Sequence, residues 1–135
     1  MIPEQTSELV RLRLEQARST LNDAVVLAEG GGTPKSIINR AYYAMFYAAS
    51  ALSATRDLSA TRHSGVIALF NDHFVKTRLF PRDLARRFGR AFEARMDTDY
   101  RVFATPDADE LRESLEYARA FISRTEDLLK PAEGR

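Results

Sequence analysis

Arginine is the residue type in this chain that most suggests a binding chemistry, because it supplies 17 of the 20 basic side chains. The densest group occurs within one predicted helix and contains Arg82, Arg86, Arg87 and Arg90. At about 100° per residue, Arg82, Arg86 and Arg90 align along one ridge. A guanidinium fork binds phosphate, but it binds carboxylate equally well. The cluster therefore indicates either an RNA- or phosphate-binding surface or a solvated face beside acidic helices.

Arg95 differs from these four arginines because it falls on the apolar side of the same helix. Steps of four, three and four residues connect the members of that side, which are Leu84, Phe88, Ala91 and Arg95. A buried charge without a partner is costly. We therefore expect Arg95 to face either a carboxylate of the fold or a cleft that receives an anionic ligand.

A second stripe of polar tips follows one side of an earlier predicted helix. Arg40, Tyr43, Tyr47 and Ser50 are separated by steps of three, four and three residues. A tyrosine can bury its ring while its hydroxyl finds a partner. The stripe is typical of a polar seam between packed helices, and it also suits a binding cleft or an interface.

Apolar residues with a period of 3.6 predict the elements that position these side chains. The predicted helices span about 7–29, 34–55, 64–76, 82–96 and 106–130. Thr33 and Thr105 are the expected N-caps of the second and last helices, each followed by a proline. Residues 97–104 are expected to form a loop. With no alternating strand pattern, the chain is predicted to be all-α, an up-and-down bundle of about five helices. We expect one domain over residues 1–135, with its core at about 7–130.

Composition narrows the possible chemistry. The absence of cysteine excludes disulfides and thiolate catalysis, and two histidines leave little material for a metal site. We therefore expect no metal and no cofactor. No apolar run approaches the ~18 residues of a membrane span, so we expect a soluble, cytoplasmic protein with no membrane partner. The net charge is +1, but residues 35–101 carry +6 between two acidic ends.

The chain resembles small stand-alone prokaryotic HEPN-domain proteins in three stretches, SIINRAYYAMFYAASAL, RHSGVIALFNDHFVKTRLFP and ARMDTDYRVF, in that order. This resemblance covers about residues 7–130. It implies a four- or five-helix bundle that usually forms a homodimer. It also implies a toxin–antitoxin system with a minimal nucleotidyltransferase as partner, and in many members RNA cleavage without a metal.

The resemblance also implies a catalytic motif, in which an arginine precedes a histidine by four to six residues and a tyrosine often follows. Arg95 matches the arginine and Tyr100 matches the tyrosine, but residues 96–101 contain no histidine. Asp99 could accept a proton, although its ordinary pKa makes it a poor acid. His63 is the weaker alternative, since histidine suits both roles. In related pairs the partner nucleotidylates a tyrosine, which makes Tyr100 the modification candidate.

Three hypotheses stay open. The first is a HEPN module that binds a nucleotidyltransferase, and RNA or a nucleotide, through a diverged catalytic surface. The second is an active metal-independent endoribonuclease toxin that uses Arg95 at a dimer cleft. The third is a non-catalytic helical scaffold. The missing histidine favours the first over the second, and the dimer interface is expected near Arg95 and the Arg40–Tyr43–Tyr47 stripe.

Overall fold

The computed structural model describes residues 4–58, 60–96 and 106–130, with the side chains of residues 4–6 and 94–96 left out. The described residues form five α-helices, α1 (Glu4–Glu29), α2 (Pro34–Ala54), α3 (His63–Phe70), α4 (Arg82–Met96) and α5 (Ala108–Leu129). The described part of the chain contains no strand. The prediction of an all-α bundle of about five helices is therefore confirmed.

Helix α2 lies at the centre of the bundle and contacts the four other helices, with its longest contact along α1. This helix begins at Pro34, as predicted. The Thr33 hydroxyl caps it by accepting a hydrogen bond from the Ser36 amide at 3.3 Å. Buried alanines let neighbouring helices come close, and they are Ala41, Ala44, Ala48, Ala49, Ala51 and Ala54. Ile37 is buried, whereas the next residue, Ile38, is half-buried.

Four buried phenylalanines join α3, α4 and α5. They are Phe70, Phe80, Phe88 and Phe121. Phe121 contacts the other three rings, with centroid distances of 5.5, 4.5 and 5.2 Å respectively. Tilted and edge-to-face pairs of this kind add about 0.5–1.5 kcal/mol each to the burial of their area. This aromatic layer fixes α4 against α3 and α5.

The third helix is not the single α-helix predicted over 64–76. The α-helix begins at His63 and ends at Phe70, and a π-helical turn (Asn71–Val75) continues it. The Lys76 amide donates to the Asn71 carbonyl at 2.9 Å, which is the i to i+5 bond of a π-helix. Phe70 and Phe74 both lie in the core, with their ring centroids 6.1 Å apart.

Two helix starts also differ from the predictions. Helix α1 begins at Glu4, about one turn before residue 7. Helix α5 begins at Ala108 with Asp107 as its N-cap, whose carboxylate accepts a hydrogen bond from the Glu110 amide at 2.8 Å. A start at Pro106 with Thr105 as cap was therefore wrong, because the aspartate two residues later caps the first turn at least as well. Thr105 and the predicted loop 97–104 lie outside the described residues.

Candidate functional site

Three of the four clustered arginines form an exposed ridge on α4. Arg82, Arg86 and Arg90 are exposed, as the helical spacing predicted. None of the three makes a hydrogen bond or an ion pair with another residue in the parts of the chain that the structure describes. Unpaired guanidinium groups spaced four residues apart repel one another unless an anion meets them. We call Arg82, Arg86 and Arg90 the arginine ridge.

Arg87 points away from the ridge and contacts α5. Its guanidinium lies 4.3 Å from the centre of the Tyr117 ring and donates to the Glu113 carboxylate at 3.4 Å. These groups line a cleft of about 200 Å³ between α2, α4 and α5, with an apolar part that includes Ile38 and Met45. The Arg87 guanidinium thus binds a carboxylate and packs on an aromatic ring of its own chain.

His63 is the first residue of α3, one position earlier than the predicted helix start. Its ring stacks on Phe46 with centroids 4.2 Å apart and an interplanar angle of 25°. Tyr43 meets the same ring edge-on at 5.7 Å. The imidazole is half-buried and is fixed in orientation by aromatic neighbours from α2.

Tyr42 connects His63 to α4. Its hydroxyl is 3.0 Å from Nδ1 of His63, although the tyrosine side chain is 0% exposed. Its ring packs on Phe88 and Phe92 of α4 at centroid distances of 5.7 and 6.4 Å. A buried tyrosine hydroxyl normally requires a hydrogen-bond partner, and His63 is that partner here.

The residues of the arginine–tyrosine motif are only partly within the described structure. Arg95 lies in the last turn of α4, three residues after Phe92, and its side chain is among those left out. Asp99 and Tyr100 lie outside the described residues. The catalytic roles of Arg95, Asp99 and Tyr100, and the modification of Tyr100, stay predictions.

The predicted stripe on α2 forms a continuous half-buried surface. The Arg40 guanidinium lies 5.5 Å from the centre of the Tyr43 ring, and the Tyr43 and Tyr47 rings are 6.0 Å apart. Tyr47 also lines an open groove with Leu9 and Leu12 of α1, which are 42% and 45% exposed. Exposed leucines beside a tyrosine are typical of an interaction surface.

The described residues contain no group of three or more histidines, aspartates or glutamates close enough to hold a metal ion. Within the same ranges, no helix is both long and apolar enough to cross a membrane.

At the π-helical turn, the Lys76 ammonium donates to the Asp72 carboxylate at 2.8 Å, and this hydrogen bond lowers the pKa of Asp72.

Comparison with known proteins identifies the family. The model of the HEPN domain matches residues 10–128. A "UPF0332 protein" of Thermotoga maritima is 32% identical over 126 residues, which cover 93% of this chain and 95% of that protein. A protein of Methanocaldococcus jannaschii with the name "Putative toxin" is 28% identical over 96% of both chains. Since the family model spans most of the chain and the helices form the expected bundle, this protein is a member of the HEPN-domain family.

Proposed function

We propose that this protein is the RNA-binding toxin of a toxin–antitoxin pair and that the arginine ridge is its contact with RNA. The observation that carries this proposal is that Arg82, Arg86 and Arg90 are exposed on one side of α4 without a carboxylate partner among the described residues. Four residues of helix rise about 6 Å, so the ridge presents three charges over about 12 Å. Such a row can follow a nucleic-acid backbone.

Salt dependence tests the ridge directly. Each phosphate neutralised on a single strand contributes about 0.7 to the slope of log affinity against log salt. Replacing Arg82, Arg86 and Arg90 with glutamine should therefore lower the slope by about 2, as measured by fluorescence anisotropy with a labelled single-stranded RNA. The matched control replaces three exposed arginines of α1 and α5 with glutamine, namely Arg11, Arg112 and Arg119. Equal slopes for the two triple variants would reject the ridge as the RNA contact.

The antitoxin in this proposal is a minimal nucleotidyltransferase, and Tyr100 is the residue that it modifies. The resemblance of the three sequence stretches and the toxin name of a full-length relative support this pairing. Incubation of the protein with such a partner and a nucleoside triphosphate should increase its intact mass by the nucleotidyl group. Tyr100→Phe should show no increase. An equal mass increase for Tyr100→Phe would exclude Tyr100 as the acceptor.

Metal-independent RNA cleavage is the second candidate function, and the hydrogen bond between Tyr42 and His63 favours it. That bond orients the imidazole against Tyr42, whose ring packs on Phe92 of the helix that carries Arg95. Imidazole titrates near neutral pH and can exchange a proton with RNA. Cleavage in excess EDTA by the wild-type protein, lost in Arg95→Ala with the fold intact, is the expected result. Cleavage that requires an added divalent metal would contradict this function.

The same proposal includes a homodimer whose contact contains Leu9, Leu12 and Tyr47. These three residues line one groove, and the two leucines are among the most exposed large apolar side chains of the described residues. Burying a leucine contributes about 1.5–3 kcal/mol, so a shared apolar contact would stabilise two copies. A sedimentation experiment that finds only a 15.3 kDa species at micromolar concentration would reject the dimer.

A further inference from the structure

We propose that the cleft between α2, α4 and α5 binds one guanine base of a single-stranded RNA. This inference rests on the proposed function, because it takes the arginine ridge as the contact with the RNA backbone. Contacts to phosphates position a nucleic acid, whereas contacts to base edges select its sequence. The cleft therefore adds a sequence preference to the ridge.

The volume of the cleft suits one base. The cleft holds about 200 Å³, whereas an apolar cavity of about 150 Å³ binds benzene and sites for drug-sized ligands occupy about 300–1,000 Å³. Ile38, Met45 and Ala91 belong to its apolar part. A flat heteroaromatic ring can enter against these side chains, while its sugar and phosphate stay outside.

Arg87 and Tyr117 supply a stacking surface in this cleft. The Arg87 guanidinium lies 4.3 Å from the centre of the Tyr117 ring, and both residues line the cleft. Unstacked RNA bases stack on tyrosine rings and on guanidinium planes, and such stacking tolerates every base. Both side chains are half-buried and contact each other across α4 and α5, so RNA binding orders them at little cost in entropy. Stacking therefore favours the entry of a base without selecting it.

Glu113 supplies the selection. Its Oε2 lies 3.4 Å from Nη2 of Arg87, which is longer than the usual ~2.7–3.2 Å of a hydrogen bond. A carboxylate has about four acceptor positions, so this contact holds the side chain and leaves acceptor capacity for a ligand. Glu110, one turn earlier on α5, lines the same cleft. Two carboxylates favour a ligand edge made of donors and disfavour a phosphate inside the cleft.

Guanine is the base with such an edge. Its Watson–Crick edge presents two adjacent donors, N1–H and the 2-amino group, and a carboxylate can accept from both. Adenine, cytosine and uracil each present an acceptor next to their donor on that edge. This acceptor would face a carboxylate oxygen, which is an unfavourable contact. The carboxylate therefore prefers guanine over the other three bases.

Arg90 connects the cleft to the arginine ridge. It is the last arginine of the ridge, and it also lines the cleft. Arg86 precedes it by about 6 Å along α4. A strand whose phosphates follow the ridge therefore passes the cleft at Arg90, where one base can turn inward.

The experiment compares RNAs that differ at one base. Fluorescence anisotropy measures the affinity of a short labelled oligouridine that carries one central guanine, inosine or adenine. The guanine RNA should bind about 5- to 150-fold more tightly than the adenine RNA, the range for one base contact with two hydrogen bonds. Inosine lacks the 2-amino group and should lose most of this preference. Guanosine monophosphate cannot follow the ridge, so it should compete at least about tenfold less well than the guanine RNA.

Two variants test the cleft itself. Glu113→Gln should remove the guanine preference, because an amide presents a donor beside its single acceptor. The matched control is Glu116→Gln, which changes an exposed glutamate of α5 outside the cleft and should keep the preference. Ala91→Leu fills part of the cleft and should also remove the preference, while the salt dependence due to the ridge persists.

Several results would overturn the inference. They are a guanine RNA that binds no more tightly than the adenine or inosine RNA, and a preference that survives Glu113→Gln or is lost equally in Glu116→Gln. Competition by guanosine monophosphate equal to that of the guanine RNA would also overturn it. In each case a salt slope that depends on the ridge would leave the proposed function standing. A protein that binds none of the RNAs would overturn both.

Discussion

Replacing Ser53 with alanine should stabilise the protein, although it removes a polar side chain from a central helix. Ser53 lies in the last turns of α2 and is 3% exposed. Its Oγ is buried and has no hydrogen-bond partner among the described residues. A buried polar group without a partner costs free energy in the folded state, whereas the same hydroxyl is hydrated in the unfolded chain.

The expected gain can be worked from two contributions. An unsatisfied buried hydroxyl costs about 1–3 kcal/mol, and alanine exceeds serine in helix propensity by a few tenths of a kcal/mol. The lost contacts of one oxygen atom offset part of this. The free energy of unfolding should therefore rise by about 1–2 kcal/mol, which raises Tm by roughly 3–8 °C in a chain of this size.

Urea unfolding, followed by circular dichroism, measures the effect. Ser50→Ala is the matched control, because Ser50 is one turn earlier on the same helix and is only half-buried. It shares the gain in helix propensity but not the relief of the buried hydroxyl. A gain for Ser53→Ala no larger than that for Ser50→Ala would refute the reasoning, and a loss of stability would show that Ser53 has a partner in solution.

Three other changes test separate parts of the structure. Leu12→Lys should raise the dissociation constant of the proposed dimer at least tenfold in a sedimentation assay. Leu79→Lys, which changes an exposed leucine outside α1, should leave that constant unchanged. Phe121→Ala should lower the free energy of unfolding by about 3–5 kcal/mol in urea titration, because three phenylalanine rings lose their common neighbour. Lys76→Met should raise the pKa of Asp72 towards its ordinary value in a carboxyl NMR titration. Since the pair lowers that pKa, its contribution to stability is present at neutral pH and disappears as the pH falls through the folded-state pKa, and an unchanged titration would show that the pair does not form.

The sequence predicts the bundle well because its helices are amphipathic and carry local start signals. Thr33 and Pro34 define the start of α2 from interactions within one turn, and the structure has the same start. The π-helical turn after Phe70 could not be predicted, because an ordinary α-helix also places Phe70 and Phe74 on one face and the apolar pattern is the same for both. Helix periodicity also could not decide between Thr105 and Asp107 as the N-cap of the last helix, which is Asp107.

The sequence predicts which residue types form the candidate site better than it predicts their contacts. Helical spacing alone placed the arginine ridge on one exposed side of α4, and the structure has it there. The partners of Arg87 lie on α5, about 26–30 positions later in the chain, so no local pattern distinguishes this arginine from its neighbours. The bond between Tyr42 and His63 spans 21 positions, and only the packing of α3 on α2 creates it.

The buried alanines of α2 make the centre of this protein less tolerant of larger side chains than of smaller ones. A change to glycine at Ala44 or Ala48 costs helix propensity, about 1 kcal/mol, and leaves the neighbouring helix where it is. A change to valine or leucine forces the neighbouring helices outward, at a cost of about 1–3 kcal/mol for overpacking. A library of random substitutions should therefore retain only small side chains along this contact. The exposed surfaces of the protein can then vary in evolution, while the spacing between α2 and the helices packed on it stays constant.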